Sequence, residues 1–203
     1  MIKPILWLGI FFSVLLWSVI DPKDMFTWFL EVVPALIALV ALAVTYKKFP
    51  LTPLLCTLIL LHAIVLMVGG HYTYAEVPLF DSFKEWFGFE RNNYDKVGHF
   101  MQGFVPVMVA REIVIRKHVF NGDGWRNFFI VSFVLAFSAF YELVEWAVAE
   151  STGEGAEAFL GTQGYVWDTQ SDMAWALFGA LIALILLARY HDKQLKHLVS
   201  PTS

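Results

Sequence analysis

The sequence predicts an all-α polytopic membrane protein, a bundle of six transmembrane helices with short interfacial segments in the outer loops. Two compositional observations and one pattern point there. Of 203 residues, 58% are hydrophobic and only 16% are charged, and the mean hydropathy is positive; a water-soluble domain is more evenly mixed. Six apolar runs each approach the ~20 helical residues needed to cross a hydrocarbon core of about 30 Å. None alternates with the period of two that a barrel strand needs, and in lipid only a helix or a closed barrel satisfies its own backbone.

The runs are 4–20, 26–46, 51–69, 97–115, 128–149 and 172–190. The first follows Lys3 and resembles a secretory leader, but Trp17-Ser18-Val19-Ile20-Asp21-Pro22 offers no small-residue cleavage site, so it reads as a retained span. Pro34, Pro53 and Pro106 are expected to kink or start their helices. Gly98, Gly103 and Gly179 are placed to let helices pack closely. Neither repeats nor low-complexity segments divide the chain, and residues 1–203 read as one integral membrane domain. The single cysteine, Cys56, falls inside an apolar run and is expected to pack there. The tail from His191 onward reads as a frayed end, with His118, His191 and His197 as solvated interfacial histidines.

Orientation follows from Lys and Arg. Lys47 and Lys48 lie between runs two and three, Arg111, Arg116, Lys117 and Arg126 flank the turn between four and five, and Arg189, Lys193 and Lys196 follow run six, whereas 150–171 contains neither residue type. The positive-inside tendency then puts both termini in the cytoplasm of a bacterial inner membrane protein. Trp86, Trp146, Tyr165, Trp167 and Trp175 gather near the opposite surface, as an interfacial aromatic belt does. Basic residues form no extended patch, which excludes nucleic acid as a partner class and leaves membrane lipids.

Most polar residues of the apolar runs fall at that outer surface. Asp95 and His99 are four apart and face the same way on a helix; Glu142 and Glu145 are three apart; Asp168 and Asp172 are four apart at the start of run six. Glu31, His62 and His71 lie at similar depth, and the opposite halves of the same helices look nearly bare of acids and imidazoles. Ionisable groups within a bilayer cost at least ~2.5 kcal/mol each on insertion scales and normally face the interior with partners. Several carboxylates alone would repel, and a cation or shared protons would relieve the repulsion. Asp95, His99, Glu142, Asp168 and Asp172 are therefore the expected ligands of a divalent ion (Zn, Mn, Fe or Mg), with His71 and Glu145 as catalytic proton carriers. The structural alternative pairs Glu142 or Glu145 with Lys96 or Arg91, and makes Asp168 or Asp172 the cap of the last helix.

The stretches GGHYTYAEVPLF at 69–80, NNYDKVGHFMQGFVP at 92–106, YELVEW at 141–146 and FLGTQGYVWDTQSDM at 159–173 resemble the YjdF family of bacterial inner membrane proteins over nearly the whole chain. That resemblance implies location and fold, since the family has no assigned chemistry. A second similarity is to VanZ-like membrane proteins: Asp95, Lys96, His99 and Phe100 match the start of one helix, Glu142 or Glu145 an acid in the next, and Asp168 or Asp172 an acid before the last. It implies a role at the cell envelope. The expected function is a metal-dependent hydrolase or transferase of a lipid or envelope precursor. The alternative is a proton- or cation-coupled carrier or binding protein that uses the same acids without catalysis.

Overall fold

The computed structural model describes residues 3–152 and 157–199, and the secondary structure of these residues is helical throughout. The helices are α1 (Pro4–Val19), α2 (Met25–Thr45), α3 (Pro53–Tyr72), α4 (Pro78–Phe87), α5 (Tyr94–Arg116), α6 (Asp123–Thr152), α7 (Glu157–Leu160) and α8 (Asp168–Val199). Local sequence explains their starts. Asp24 caps α2 by accepting from the Thr27 N–H at 2.6 Å. Thr52 caps α3, with Pro53 at a first-turn position that has no N–H to lose.

Four helices, α2, α3, α6 and α8, are each long and apolar enough to cross a membrane. The other two sequence runs differ in kind. Helix α1 is apolar but has 16 residues, and α5 has 23 residues but carries charges near both ends. Four of the charges on α5 are buried, Asp95 and Lys96 at one end and Arg111 and Glu112 at the other, and Arg116 is half-buried. Large apolar side chains such as Ile5, Val40, Phe140 and Ile185 stand exposed around the outside, as a lipid-facing surface requires.

Helix α5 is the centre, packed against α3, α6 and most extensively α8; α2 and α1 lie on α3, and α6 also touches α8. Glycine sets the α5–α8 contact. A Cβ on Gly103 would overlap the Ala176 carbonyl, and one on Gly179 would overlap that of Phe100. The two backbones therefore touch, and the N-terminal ends of α5 and α8 come together with their acids. Gly98 contributes differently from expectation, since it packs on the Tyr74 ring instead of a helix.

Three sequence expectations are corrected. Helix α8 runs to Val199, so the tail is ordered well past His191; residues 200–203 lie outside the described residues. His191 is fully buried, because that extra length of α8 lays it against α5. Nor is the end of the bundle away from Asp95 bare of acids and imidazoles, since Glu112 and His191 are buried and paired there beside Arg111. His118 and His197 are exposed, as expected.

Candidate functional site

The turn before α5 is fixed before any site residue is placed. The Asn92 N–H donates to Gln163 Oε1 at 2.9 Å, and Gln163 Nε2 donates back to the Asn92 carbonyl at 2.8 Å. Asn92 Nδ2 donates to the Val77 carbonyl and to Asp81 Oδ1, and Asn92 Oδ1 accepts from the Tyr94 N–H. Tyr94 then reaches the Val65 carbonyl at 2.9 Å. The first turn of α5 is thereby tied to α3, to α4 and to the loop before α8.

From that turn Lys96 and His99 share Asp95 and Asp172, each taking a different oxygen. Lys96 Nζ lies 2.5 Å from Asp172 Oδ1, 3.1 Å from Asp168 Oδ1 and 3.4 Å from Asp95 Oδ2. Arg91 adds a contact of 2.5 Å to Asp168 Oδ1 and donates to the Gly161 carbonyl at 3.1 Å. Asp168 is thus held by two cations while serving as the first residue of α8. The pairing of Lys96 and Arg91 expected for Glu142 or Glu145 belongs instead to Asp95, Asp168 and Asp172, because close α5–α8 packing brings the start of α8 nearer to Lys96.

His99 Nε2 lies 3.2 Å from Asp95 Oδ1 and 3.8 Å from Asp172 Oδ2. Its Nδ1 faces Gln102 Oε1 at 3.2 Å and Glu142 Oε1 at 3.8 Å. Glu142 is buried, and its Oε1 has no hydrogen-bond partner among the described residues. An uncompensated buried carboxylate oxygen is costly and calls for a reason. His99, Glu142 and Glu145 can each direct a ligand atom to within 4.8 Å of the others, as can Asp95, His99 and Asp172. Two atoms bound to one tetrahedral ion at ~2.1 Å stand roughly 3.4 Å apart, so the 3.8 Å between His99 and Glu142 is close to a shared-ligand spacing. Asp95, on the far side of the imidazole, accepts Nε2–H; Gln102 Oε1 is an acceptor only, so Nδ1 is the donor in its 3.2 Å contact, and an ion bound at Nδ1 would displace that proton and the Gln102 contact.

The remaining sequence candidates divide. Glu145 is buried beside this group and lines a cavity with His99, Asp95, Gln102 and Glu31. His71 stands apart from the lining of that cavity: its Nδ1 lies 3.1 Å from the Ser18 carbonyl, and its ring packs on Trp17 and Tyr72 at the joint of α1 and α3. Sequence reading left out Tyr74 and Tyr141, whose hydroxyls lie beside the Glu31 carboxyl at the polar end of the cavity. The YELVEW stretch contains Tyr141, one residue before Glu142, but the stretch does not reveal its partner on α2.

The cavity has a volume of about 790 Å³ and runs between α2, α5 and α6. Its polar end carries Glu31, Asp95, His99 and Glu145; its other end is closed in by Thr45, Phe49, Phe120 and Phe129. Among the lining residues between these ends, His62 is the one ionisable side chain.

Residues 3–193 match the family described as "Predicted membrane protein (DUF2238)". The chain is 52% identical over 183 residues to the inner membrane protein YjdF of Escherichia coli (strain K12), covering 90% of this chain and 88% of that protein. No solved structure matches.

Proposed function

Because the chain belongs to the DUF2238 family of membrane proteins, we propose that it is an inner membrane protein of six spans with cytoplasmic termini, in which α1 and α5 cross beside the four long apolar helices. Its function on this reading is that of a divalent-ion-dependent hydrolase or transferase acting on a lipid or lipid-linked envelope precursor. The observation that carries the reading is Glu142 Oε1, without a hydrogen-bond partner among the described residues and 3.8 Å from the Nδ1 of His99, which with Glu145 lines the polar end of the cavity. The ion's ligands would be His99, Glu142 and Glu145. Asp95 and Asp172 would orient the imidazole through Nε2, and Lys96 and Arg91 would keep Asp168 and Asp172 from crowding the ion with further negative charge. This narrows the ligand set expected from sequence, moving Asp168 into the supporting ion pairs and Glu145 toward the ion.

A divalent ion there would supply Lewis-acid polarisation of a phosphoryl or acyl oxygen, or an activated water. Glu145 also lines the cavity and is placed to carry a proton to or from a bound head group. His71 turns to Ser18, which favours a role for it in joining helices.

Elemental analysis of the detergent-purified protein tests the reading. The expected result is about one divalent ion per chain, lost in His99→Ala and reduced in Glu142→Gln with the fold retained. A metal-free wild type, prepared without chelator and unable to take up added Zn or Mn, would overturn it. The carrier reading draws on His62, which adds an imidazole part-way along the same cavity. Flux that requires sealed vesicles, without bond cleavage in detergent, would select the carrier.

A further inference from the structure

The cavity continues far beyond what a head group needs. On α2 its lining follows one stripe, Glu31, Ala35, Ala38, Leu42 and Thr45, at helical spacing. From Glu31 to Thr45 that stripe is about 21 Å long, and the α5 lining from Asp95 to Val114 is about 28 Å, at ~1.5 Å per residue. One leaflet of the hydrocarbon core is about 15 Å deep. The cleft therefore passes the bilayer midplane.

Its walls are unequal. Small alanines of α2 face the aromatic side of α6, where Phe133 and Phe137 are partly open to the outside, while Ala35, Val105 and Ile130 form a buried floor. Helix α2 packs on α3, and α6 packs on α5 and α8, but α2 and α6 do not form a packed pair with each other. Helix α7 touches both at the polar end, where Phe159 joins the lining. The shape is a groove covered at the charged end and open along its side. Among the described residues neither Lys nor Arg lines it; carboxylates and His99 lie at one end and hydrocarbon over most of the rest.

We infer that this groove is the binding site for the apolar chain of a long-chain amphiphile, which enters sideways from the bilayer between α2 and α6 and lays its polar end against the His99 group. The inference rests on the proposed function for the identity of the head-group site, but the groove stands on its own geometry. Length selects the ligand: a chain that reaches Thr45 and Phe49 spans more than one leaflet, so a long isoprenoid or a long extended acyl chain fits, and a short tail leaves the far half of the groove empty.

Photo-crosslinking in native membranes reads the occupant directly. With benzoylphenylalanine at Ala41, in the groove, the expected adduct is a long-chain amphiphile enriched at least tenfold over its share of membrane lipid. At Val40, exposed on the same helix but outside the groove, adducts should follow bulk phospholipid composition. In detergent, the purified protein should retain a polyprenyl monophosphate or a C18 single-chain phosphate at least tenfold better than the C8 phosphate. Ala38→Trp, or Ala41→Phe should the first variant fail to fold, should abolish that preference while metal content stays at the wild-type level. Identical adducts at Ala41 and Val40, or equal retention of C8 and long-chain phosphates, would overturn the inference. A metal-free protein that still shows the Ala41 adduct would remove the ion chemistry and leave the groove assignment intact.

Discussion

Two ionic clusters are buried at opposite ends of α5, one around His99 and one around Glu112. Both join a carboxylate, an imidazole and basic side chains from helices distant in sequence. Glu112 is saturated: it accepts from the Thr52 N–H and from Thr52 Oγ1 at 2.8 Å, from Arg116 Nη1 at 2.8 Å and from His191 Nε2 at 2.9 Å. Arg111 is a donor only, so its 3.0 Å contact makes His191 Nδ1 the acceptor and assigns the imidazole proton to Nε2, toward Glu112. Gln194 completes the joint by accepting from the Leu54 N–H at 2.9 Å. At the other end Glu142 Oε1 has no hydrogen-bond partner among the described residues, with His99 Nδ1 at 3.8 Å, and Glu145 lines the cavity. The Glu112 cluster pins α3, α5 and α8 together; the other leaves a carboxylate oxygen unsatisfied beside the covered, polar end of a groove. Each cluster leaves a buried guanidinium Nε without a hydrogen-bond partner among the described residues, Arg111 at one end and Arg91 at the other, so the contrast lies in the carboxylates: a satisfied one gives rigidity, and an unsatisfied one beside a cavity points to binding.

The largest effect that would break this contrast belongs to the Glu112 cluster. Glu112→Ala leaves the fully buried His191 and the half-buried Arg116 without their shared carboxylate, while Arg111 keeps Asp192. Removing one partner from a buried ionic network costs about 3–5 kcal/mol, which lowers the thermal midpoint in detergent by roughly 10 °C for a chain of this size. Metal content and the Ala41 adduct should persist in whatever folded protein is recovered. A midpoint within ~2 °C of wild type would mean that the network contributes little and that the two ends are alike.

Lys96→Met sharpens the contrast from the other side. It removes the cation bound to Asp172 and Asp168, while Arg91 still holds Asp168 and approaches Asp95. The expected destabilisation is about 2–3 kcal/mol, smaller than for Glu112→Ala because one cation remains. The freed Asp172 is then available to the ion, so any bound metal should be held as tightly as in wild type or more so, measured by competition with a chelating dye. Loss of metal with the fold retained would instead place Lys96 in direct support of the ligands.

Much of this was legible in sequence, and what was not has a physical reason. The apolar runs mark the helices because lipid tolerates few alternatives, and Asp95, His99, Glu142 and Asp172 stand out because acids inside apolar helices are rare. The cluster around Glu112 was hidden because its basic members resemble the positive flank of a span, while its histidine is 79 residues away on a helix extension that polar composition disguises as a tail. Lys96 looked like a loop charge until the glycine-mediated approach of α5 and α8 enclosed it. The groove was illegible for a different reason: a stripe of Ala and Leu on α2 looks the same whether it faces a helix, a lipid or a cavity.

The smallest change tests the asymmetry most directly because its expected sign is opposite. Glu142→Gln preserves the shape of a buried side chain while removing a negative charge beside Glu145 and Asp95, and it replaces a carboxylate oxygen without a hydrogen-bond partner among the described residues with an amide that can donate to a neighbouring acid. Groups kept for binding are often unfavourable to the fold that carries them. In metal-free protein the substitution should therefore be neutral or stabilising by up to about 1 kcal/mol, a rise of roughly 2–4 °C in thermal midpoint. Added Zn or Mn should raise the wild-type midpoint and leave the variant's almost unchanged, since preferential binding to the folded state is itself stabilising. A fall of more than ~5 °C without metal would show that Glu142 is a structural group like Glu112, and the distinction between the two ends of α5 would fail.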